Sequence, residues 1–320
     1  MIDIGLNQNK YHPIRQIGRG AWSRVFLAVG REDSRTYALK VYDPTDEAKE
    51  QLRQRNQTLE EVIRNETEDL GPFCPNVVSP EYREDADGRP YAVMPYLSSS
   101  LGQVKFPNAS PYSIRWCIEL YRGVVKGLLQ FHTRAKKVHG DINPDNILVQ
   151  DRNSRLMGSE GIYSKNLKDG YEVPETFLGD LGASSAVASM DWSLDSRSRI
   201  GRILTRAPER CHNGSHHTTM SDTYSLAACF LYTLTGKEPF ARDFKGMNRE
   251  EFMRGLTERE AEEMIRKQLD SSISNPPLKK FLAKALAFDP NNRFNDGRAF
   301  KRAFFQMEFD SIFSFKSVVY

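Results

Sequence analysis

The sequence predicts an α+β fold in which a small antiparallel β-sheet part with one helix precedes a larger, mainly helical part. Apolar and polar residues mostly alternate over residues 14–41, and residues 77–96 are typical of two further strands around the turn Asp-Ala-Asp-Gly-Arg. Beyond the serine run at residues 98–100, apolar residues recur at helical spacing. Period-two alternation is typical of half-buried strands, and spacings of three and four are typical of amphipathic helices. The change of pattern divides the chain into parts 1–97 and 98–320.

Individual helices follow from the same spacing. One helix is predicted over residues 46–70, because Gly71 and Pro72 stop the pattern there. Others are predicted over residues 111–133, behind a Ser110 cap, and over 221–235, 249–269 and 278–287. A final apolar stripe predicts a helix packed on the larger part, and its members are Phe305, Phe309, Ile312 and Phe313.

Composition is that of an ordinary globular protein: 320 residues, 39% hydrophobic and 27% charged. A net charge of +3, with acids and bases interleaved, gives no reason to expect a nucleic-acid partner. The sequence lacks an apolar run of roughly 18 residues and a signal-peptide pattern, so we expect a cytoplasmic protein without a membrane partner. The four cysteines lack paired spacing, which argues against a zinc site or a disulfide framework.

The most informative segment is His-Gly-Asp-Ile-Asn-Pro-Asp-Asn at residues 139–146, just before a short apolar run. Asp141 can accept a proton from an attacking hydroxyl, and Asn146 can bind a divalent cation through its carbonyl oxygen. The segment resembles the catalytic loop of the protein kinase family. It also resembles the loop of small-molecule phosphotransferases such as the aminoglycoside and choline kinases. Taken alone, it leaves both classes open.

A glycine pair and a lysine precede this segment. Gly18 and Gly20 lie between two predicted strands, where backbone without side chains can approach phosphates. Such a pair is equally common in a plain hairpin turn. Lys40, in Tyr-Ala-Leu-Lys-Val, resembles the kinase lysine that binds the α and β phosphates, whereas an isolated strand lysine is usually a surface residue.

A carboxylate on the predicted 46–70 helix is expected to pair with that lysine. Leu59, Ile63, Glu66 and Leu70 are spaced four, three and four apart, so Glu66 lies on an apolar face. A buried carboxylate needs a partner, since burying it unpaired costs several kcal/mol. Glu66 matches the kinase helix glutamate, and Lys40 is its expected partner. The alternative is a frayed helix with Glu66 at its solvated edge.

A second acidic residue, Asp180, follows a short predicted strand in Phe-Leu-Gly-Asp-Leu-Gly. By itself this is an ordinary turn sequence, but it resembles the kinase Asp-Phe-Gly motif with leucine in place of phenylalanine. The resemblance implies that Asp180 and Asn146 bind Mg²⁺ and that Asp141 acts as the base.

Three further features favour protein kinases over small-molecule phosphotransferases. Glu209 ends an Ala-Pro-Glu motif, Arg293 corresponds to its kinase partner, and Asp222 begins a helix that resembles the one tethering the catalytic loop. The resemblance extends from about residue 14 to about residue 305.

The resemblance implies a bilobal protein kinase-like fold that uses ATP and Mg²⁺ to phosphorylate a Ser/Thr hydroxyl of a protein substrate, with autophosphorylation. A pseudokinase scaffold and a small-molecule acceptor are the alternatives, and the oligomeric state is open. The catalytic residues implied are Asp141, Lys40 and Glu66. The nucleotide-binding residues implied are Ile17, Gly18, Gly20, Val25, Ala38, Lys40, Met94, Tyr96, Leu97 and Leu148.

Two departures bear on the substrate hydroxyl. Asn143 stands where serine/threonine kinases carry lysine, and Arg202 stands where they carry threonine. Serine/threonine is favoured as the commoner class. The segment 150–176 is longer than the tight turn of the family and predicts a surface hairpin, with a docking element as the alternative.

Gly140 replaces the arginine that binds a phosphorylated activation loop in many kinases. We therefore expect activity not to depend on a phosphate in residues 180–209. The test compares phosphotransfer rates of the protein with and without phosphate on that loop. A large gain on phosphorylation would contradict the expectation.

Overall fold

Strands occupy most of residues 11–42 and 81–95, close to the two segments where the sequence predicts them. The structure is a computed structural model that describes residues 4–54, 56, 58–67, 74–104, 110–150, 174–181, 185–186, 205–211, 217–240 and 249–316. The chain divides into two compact units. The first comprises residues 1–71, 78–97 and 180–182, and the second comprises residues 72–77, 98–179 and 183–320.

The first unit is built on a five-stranded antiparallel sheet with the strand order β1-β2-β3-β5-β4. Its strands are β1 (Tyr11–Arg19), β2 (Ser23–Gly30), β3 (Thr36–Tyr42), β4 (Glu81–Glu84) and β5 (Pro90–Pro95). One face of the sheet buries an apolar cluster, which includes Phe26, Leu39, Tyr91 and Val93. The period-two pattern thus directs alternate side chains into this core.

The single helix predicted over residues 46–70 is wrong, since two helices occupy this region. They are α1 (Asp46–Gln54) and α2 (Leu59–Thr67). Asn56 adopts a left-handed conformation with φ 51°, which ends the first helix. Thr58 and Glu61 then form a capping box: Glu61 N donates to Thr58 Oγ1 at 3.2 Å, and Thr58 N donates to Glu61 Oε2 at 2.9 Å.

The second unit combines short strands with most of the helices. Its strands are β6 (Ser99–Ser100), β7 (Lys137–Val138), β8 (Ile147–Gln150), β9 (Glu175–Leu178) and β10 (Ser185–Ala186). Its helices are α3 (Pro111–Gln130), α4 (Thr219–Thr235), α5 (Arg249–Gly255), α6 (Glu258–Ser272), α7 (Pro276–Ala285) and α8 (Gly297–Lys316). Strand β8 pairs with β6 and β9, and β7 pairs with β10.

Helix α4 lies in the core of this unit, with apolar side chains buried around most of its circumference. Thr218 and Ser221 form a capping box that fixes its first turn. Tyr121 of α3 and Phe304 of α8 both pack edge-on against Phe230 of α4. The capping box and this packing together fix the position of the first turn of α4, which carries Asp222.

Two expectations in the second unit differ from the structure. Residues 249–269 form two helices rather than one, because Thr257 and Glu260 make a capping box that begins α6. The predicted stripe on α8 is wrong at Phe309, which is 57% exposed, and Phe305 is only half-buried. The buried face of α8 is offset from this stripe and includes Phe300, Phe304, Met307, Glu308 and Ser311. The side chains of Ile312 and Phe313 lie outside the described residues.

All four cysteines are buried free thiols. Among the described residues, the helices are all too short or too polar to cross a membrane.

Candidate functional site

One face of the five-stranded sheet carries several of the predicted nucleotide-binding side chains. Val25 of β2 lies opposite Lys40 of β3, and Ala38 of β3 lies opposite Met94 of β5. Directly opposed residues share a face, and Ala38 and Lys40 are two apart on one strand. Leu39 between them belongs to the buried core on the other face. The alternation therefore gathers these four side chains on the face opposite the core.

The glycine segment forms the turn between β1 and β2. Gly18 pairs with Val25 in the ladder, and Gly20 N donates to Ser23 O at 2.8 Å. Tyr96 follows β5, and its N–H donates to Thr36 O at 3.3 Å. Half-buried residues in these segments are Ile17, Gly18, Gly20, Tyr96 and Leu97.

Lys40 contacts two carboxylates in the first unit. Its Nζ contacts Glu66 Oε1, the partner that the family resemblance implies, and lies 3.2 Å from Asp180 Oδ1. Glu66 is 2% exposed and is therefore a buried carboxylate with a cationic partner. Burial disfavours the Lys40 ammonium, but the carboxylates of Asp180 and Glu66 outweigh it and hold the pKa of Lys40 above its ordinary value.

The catalytic-loop segment of the second unit joins Asp141 to Asn146. Asn146 Nδ2 donates to Asp141 O at 2.8 Å and to Asp141 Oδ2 at 3.0 Å. The Asn146 side-chain amide thereby orients the Asp141 carboxylate. Its side-chain carbonyl oxygen, Oδ1, takes no part in these two hydrogen bonds. Buried His139 accepts from Asp141 N at 3.3 Å through Nδ1, and its Nε2 donates to Gly179 O at 3.0 Å.

Leu148 of β8 is half-buried and lies beside Gly179. A Cβ at Gly179 would come within 2.9 Å of Leu148 Cδ1, so a side chain at this position would displace Leu148. Gly179 N also donates to Asn146 O at 2.9 Å. These contacts fix the backbone that leads into Asp180.

Asp222 binds the backbone of the same loop through its carboxylate. Its carboxylate accepts from His139 N at 2.7 Å, from Gly140 N at 2.9 Å and from His132 Nε2 at 2.9 Å. Burial opposes the carboxylate form, but the hydrogen bonds from His132 and Gly140 hold the pKa of Asp222 below its ordinary value. Gly140 itself has φ 78°, a conformation that favours glycine.

Glu209 and Arg293 form the predicted pair. The two guanidinium nitrogens Nη1 and Nη2 each donate to one Glu209 oxygen at 2.8 Å, a bidentate arrangement. Arg293 is 2% exposed and also donates to the carbonyls of Ala287 and Phe288 at 2.7 Å. Its guanidinium carbon lies 4.7 Å from the centre of the Tyr224 ring.

Comparison with known proteins agrees with this geometry. The family description "Protein kinase domain" matches residues 11–305, which is most of the chain.

The chain belongs to the protein kinase domain family.

Individual relatives are distant. A "Probable serine/threonine-protein kinase pknA2" of Bifidobacterium longum is 27% identical over 236 residues, which is 74% of this chain and 28% of that protein. "Serine/threonine-protein kinase PknL" of Mycobacterium tuberculosis is 27% identical over 244 residues, 76% of this chain and 53% of that protein. "Mitogen-activated protein kinase kinase 2" of Arabidopsis thaliana is 26% identical over 298 residues, 91% of this chain and 71% of that protein. The kinase chain thus spans about a quarter to a half of the bacterial relatives named here.

Membership of this family implies ATP, a divalent metal and a protein substrate as general requirements of the domain.

Sequence reasoning missed three residues that contact the kinase motifs. Tyr42 donates to Glu66 Oε2 at 3.3 Å, and His132 donates to Asp222. Thr205 is buried and its Oγ1 donates to Ile142 O at 3.0 Å, one residue after Asp141. A signal existed for Tyr42, which is two residues after Lys40 on one strand and therefore on the same face. The sequence gives no comparable signal for the other two.

Several sequence-based expectations concern residues outside the described part of the kinase chain. They include the long segment after β8, Gly182 of the Asp-Leu-Gly motif, Arg202 and the serines at 184, 189, 193, 196 and 198.

The Glu209–Arg293 pair generates a stability prediction. Replacing Arg293 with Met leaves a partly buried carboxylate and two backbone carbonyls without their donors, and we expect the free energy of unfolding to fall by about 3 kcal/mol. Urea denaturation of the full chain measures it. The matched control is Arg266→Met, which removes an exposed pair with Asp270 at 3.6 Å and should cost less than about 1 kcal/mol. Equal losses in both variants would contradict the prediction.

Proposed function

We propose that this chain is a serine/threonine protein kinase that transfers the γ-phosphoryl group of ATP to a protein hydroxyl and also phosphorylates itself. The observation that carries the proposal is the Lys40 ammonium, which is bound by both Glu66 and Asp180 and has the sheet face of Val25 and Ala38 beside it. A buried, carboxylate-bound ammonium next to an apolar sheet face suits a nucleotide whose phosphates need a cation.

Each site residue then has a role. Lys40 binds the α and β phosphates, and Glu66 holds the lysine in place. Asp141, oriented by the Asn146 amide, accepts the proton of the substrate hydroxyl. Bound ATP supplies the phosphoryl group, and the protein contributes chiefly by positioning the reactants.

The side-chain oxygens of Asp180 and Asn146 fit Mg²⁺ as ligands. The carboxylate of Asp180 and the carbonyl oxygen of Asn146 are hard donors of the kind that Mg²⁺ prefers. Both hydrogens of the Asn146 amide face Asp141, which supports assigning the carbonyl oxygen to the metal. Mg²⁺ would neutralise charge on the β and γ phosphates.

The adenine is assigned to apolar side chains. By resemblance to the family, Ile17, Val25, Ala38 and Leu148 are assigned to the faces of the ring. Met94 would form the rear of the pocket, and the backbone of Tyr96 and Leu97 would face the ring edge. Gly18 and Gly20 would approach the phosphates. Residues 1–97 and 98–320 would then act as the two lobes of one kinase domain.

The acceptor class is proposed from two observations. The bidentate Glu209–Arg293 pair belongs to the motifs that separate protein kinases from small-molecule phosphotransferases. The bacterial relatives carry serine/threonine-protein kinase in their names.

Asn143 is 4% exposed and makes its hydrogen bonds within the loop, donating to Asp141 O and accepting from Asp145 N. It therefore acts as a turn residue, and its difference from lysine carries no information against this class. A cytoplasmic location is proposed because ATP is the substrate.

Incubating the purified chain with radiolabelled ATP and a protein substrate, followed by phosphoamino-acid analysis, tests the proposal. We expect label on serine or threonine of the protein. Label on tyrosine would overturn the hydroxyl class, and absence of protein label would favour a scaffold.

Asp141→Asn should keep nucleotide binding and lose roughly 10²-fold or more in phosphotransfer rate, because it removes the base. Asp270→Asn, the same change on the exposed surface of α6, should leave the rate unaltered.

A further inference from the structure

Both oxygens of the Glu66 carboxylate are bound from a single strand. Lys40 Nζ contacts Oε1, and Tyr42 Oη donates to Oε2 at 3.3 Å. Lys40 and Tyr42 are two residues apart on β3, so their side chains leave the sheet on the same face. The regular backbone of β3 therefore brings Tyr42 and Lys40 to the same carboxylate.

We propose that Tyr42 is a positioning residue that fixes the Glu66 carboxylate in the orientation required to hold Lys40. The inference rests on the proposed function, since it assigns Lys40 to the nucleotide. It adds a second donor to the lysine–glutamate pair and assigns a role to a residue that none of the kinase motifs above includes.

The ring of Tyr42 is well held for this role. Tyr42 is 9% exposed and packs in an apolar cluster with Ile63 of α2 and Ala92 of β5, with Leu59 against it. This packing holds the hydroxyl at the carboxylate. Burial and the charge of Glu66 raise the pKa of Tyr42, so the hydroxyl stays protonated and remains a donor.

The hydroxyl changes what Glu66 can do. A carboxylate bound at one oxygen can rotate about its terminal bond, which is soft, whereas donors at both oxygens fix its plane. Glu66 is 2% exposed, so water cannot readily replace a lost donor. Removing the hydroxyl would free Glu66 to turn, and the position of Lys40 between Glu66 and Asp180 would become less defined.

The experiment uses Tyr42→Phe in the full chain, which keeps the ring and removes the hydroxyl. We measure the affinity of a nonhydrolysable ATP analogue with Mg²⁺ and, where the wild type transfers phosphate, the KM values for ATP and for the protein substrate. The affinity and the KM for ATP should worsen about fivefold, as expected for losing one hydrogen bond of ordinary strength. The KM for the protein substrate should not change. Tyr91→Phe, a buried tyrosine in the opposite core of the same sheet, is the matched control and should bind the analogue as the wild type does.

A double-mutant cycle with Glu66→Gln distinguishes positioning from packing. If Tyr42 acts through Glu66, Tyr42→Phe has little further effect on analogue affinity in the Glu66→Gln background. The same loss in both backgrounds, unchanged affinity in Tyr42→Phe, or loss of its folding transition in place of affinity would each overturn the proposal. If the wild type binds the analogue but transfers no phosphate, the proposed function fails while the cycle still decides the role of Tyr42.

Discussion

The buried carboxylate of Asp222 fixes the backbone on which the candidate catalytic residues are built. It is 1% exposed and accepts hydrogen bonds from two consecutive backbone amides and a histidine ring. A carboxylate buried to this extent must have its donors, since leaving it unsatisfied costs several kcal/mol. Its place in the first turn of α4, where the helix dipole favours negative charge, adds to this. Central helix and catalytic loop are thereby linked through one side chain.

Other features of the second unit follow from this link. Gly140 donates one of these two amides and has φ 78°, a conformation that glycine adopts without strain. The His139 ring is then placed to bond both Asp141 N and Gly179 O. His132, the third donor, accepts from Gly297 N at 2.9 Å through Nδ1, so the start of α8 is connected to the same carboxylate. Tolerance to substitution at these positions should therefore be low even though few of them would touch a substrate.

Much of this could be predicted from the sequence, and the reasons differ between residues. Alternation predicted the strands because each has one buried face, and the apolar neighbours of Glu66 predicted a buried carboxylate that needs a partner. The order of the motifs predicted the roles of Asp222 and of the Glu209–Arg293 pair.

The break at Asn56 was missed because helical periodicity continues across it, although the Thr58–Glu61 capping box was visible. Phe309 was misassigned because several adjacent aromatic residues allow more than one helical face, and packing on α3 and α7 selects the face of Phe300 and Phe304. The contacts of His132 and Thr205 join residues distant in the chain, which local patterns cannot reveal.

Amide hydrogen exchange in Asp222→Asn tests most directly the claim that this carboxylate holds the catalytic loop. Asparagine has a single acceptor oxygen, so it cannot accept from His139 N, Gly140 N and His132 as the carboxylate does. The account predicts that exchange at the amides of His139 and Gly140 accelerates about tenfold or more, while the amides of β3 in the other unit exchange as before. Asp270→Asn on α6 serves as the control. Unchanged protection at both loop amides in a folded Asp222→Asn protein would contradict the account.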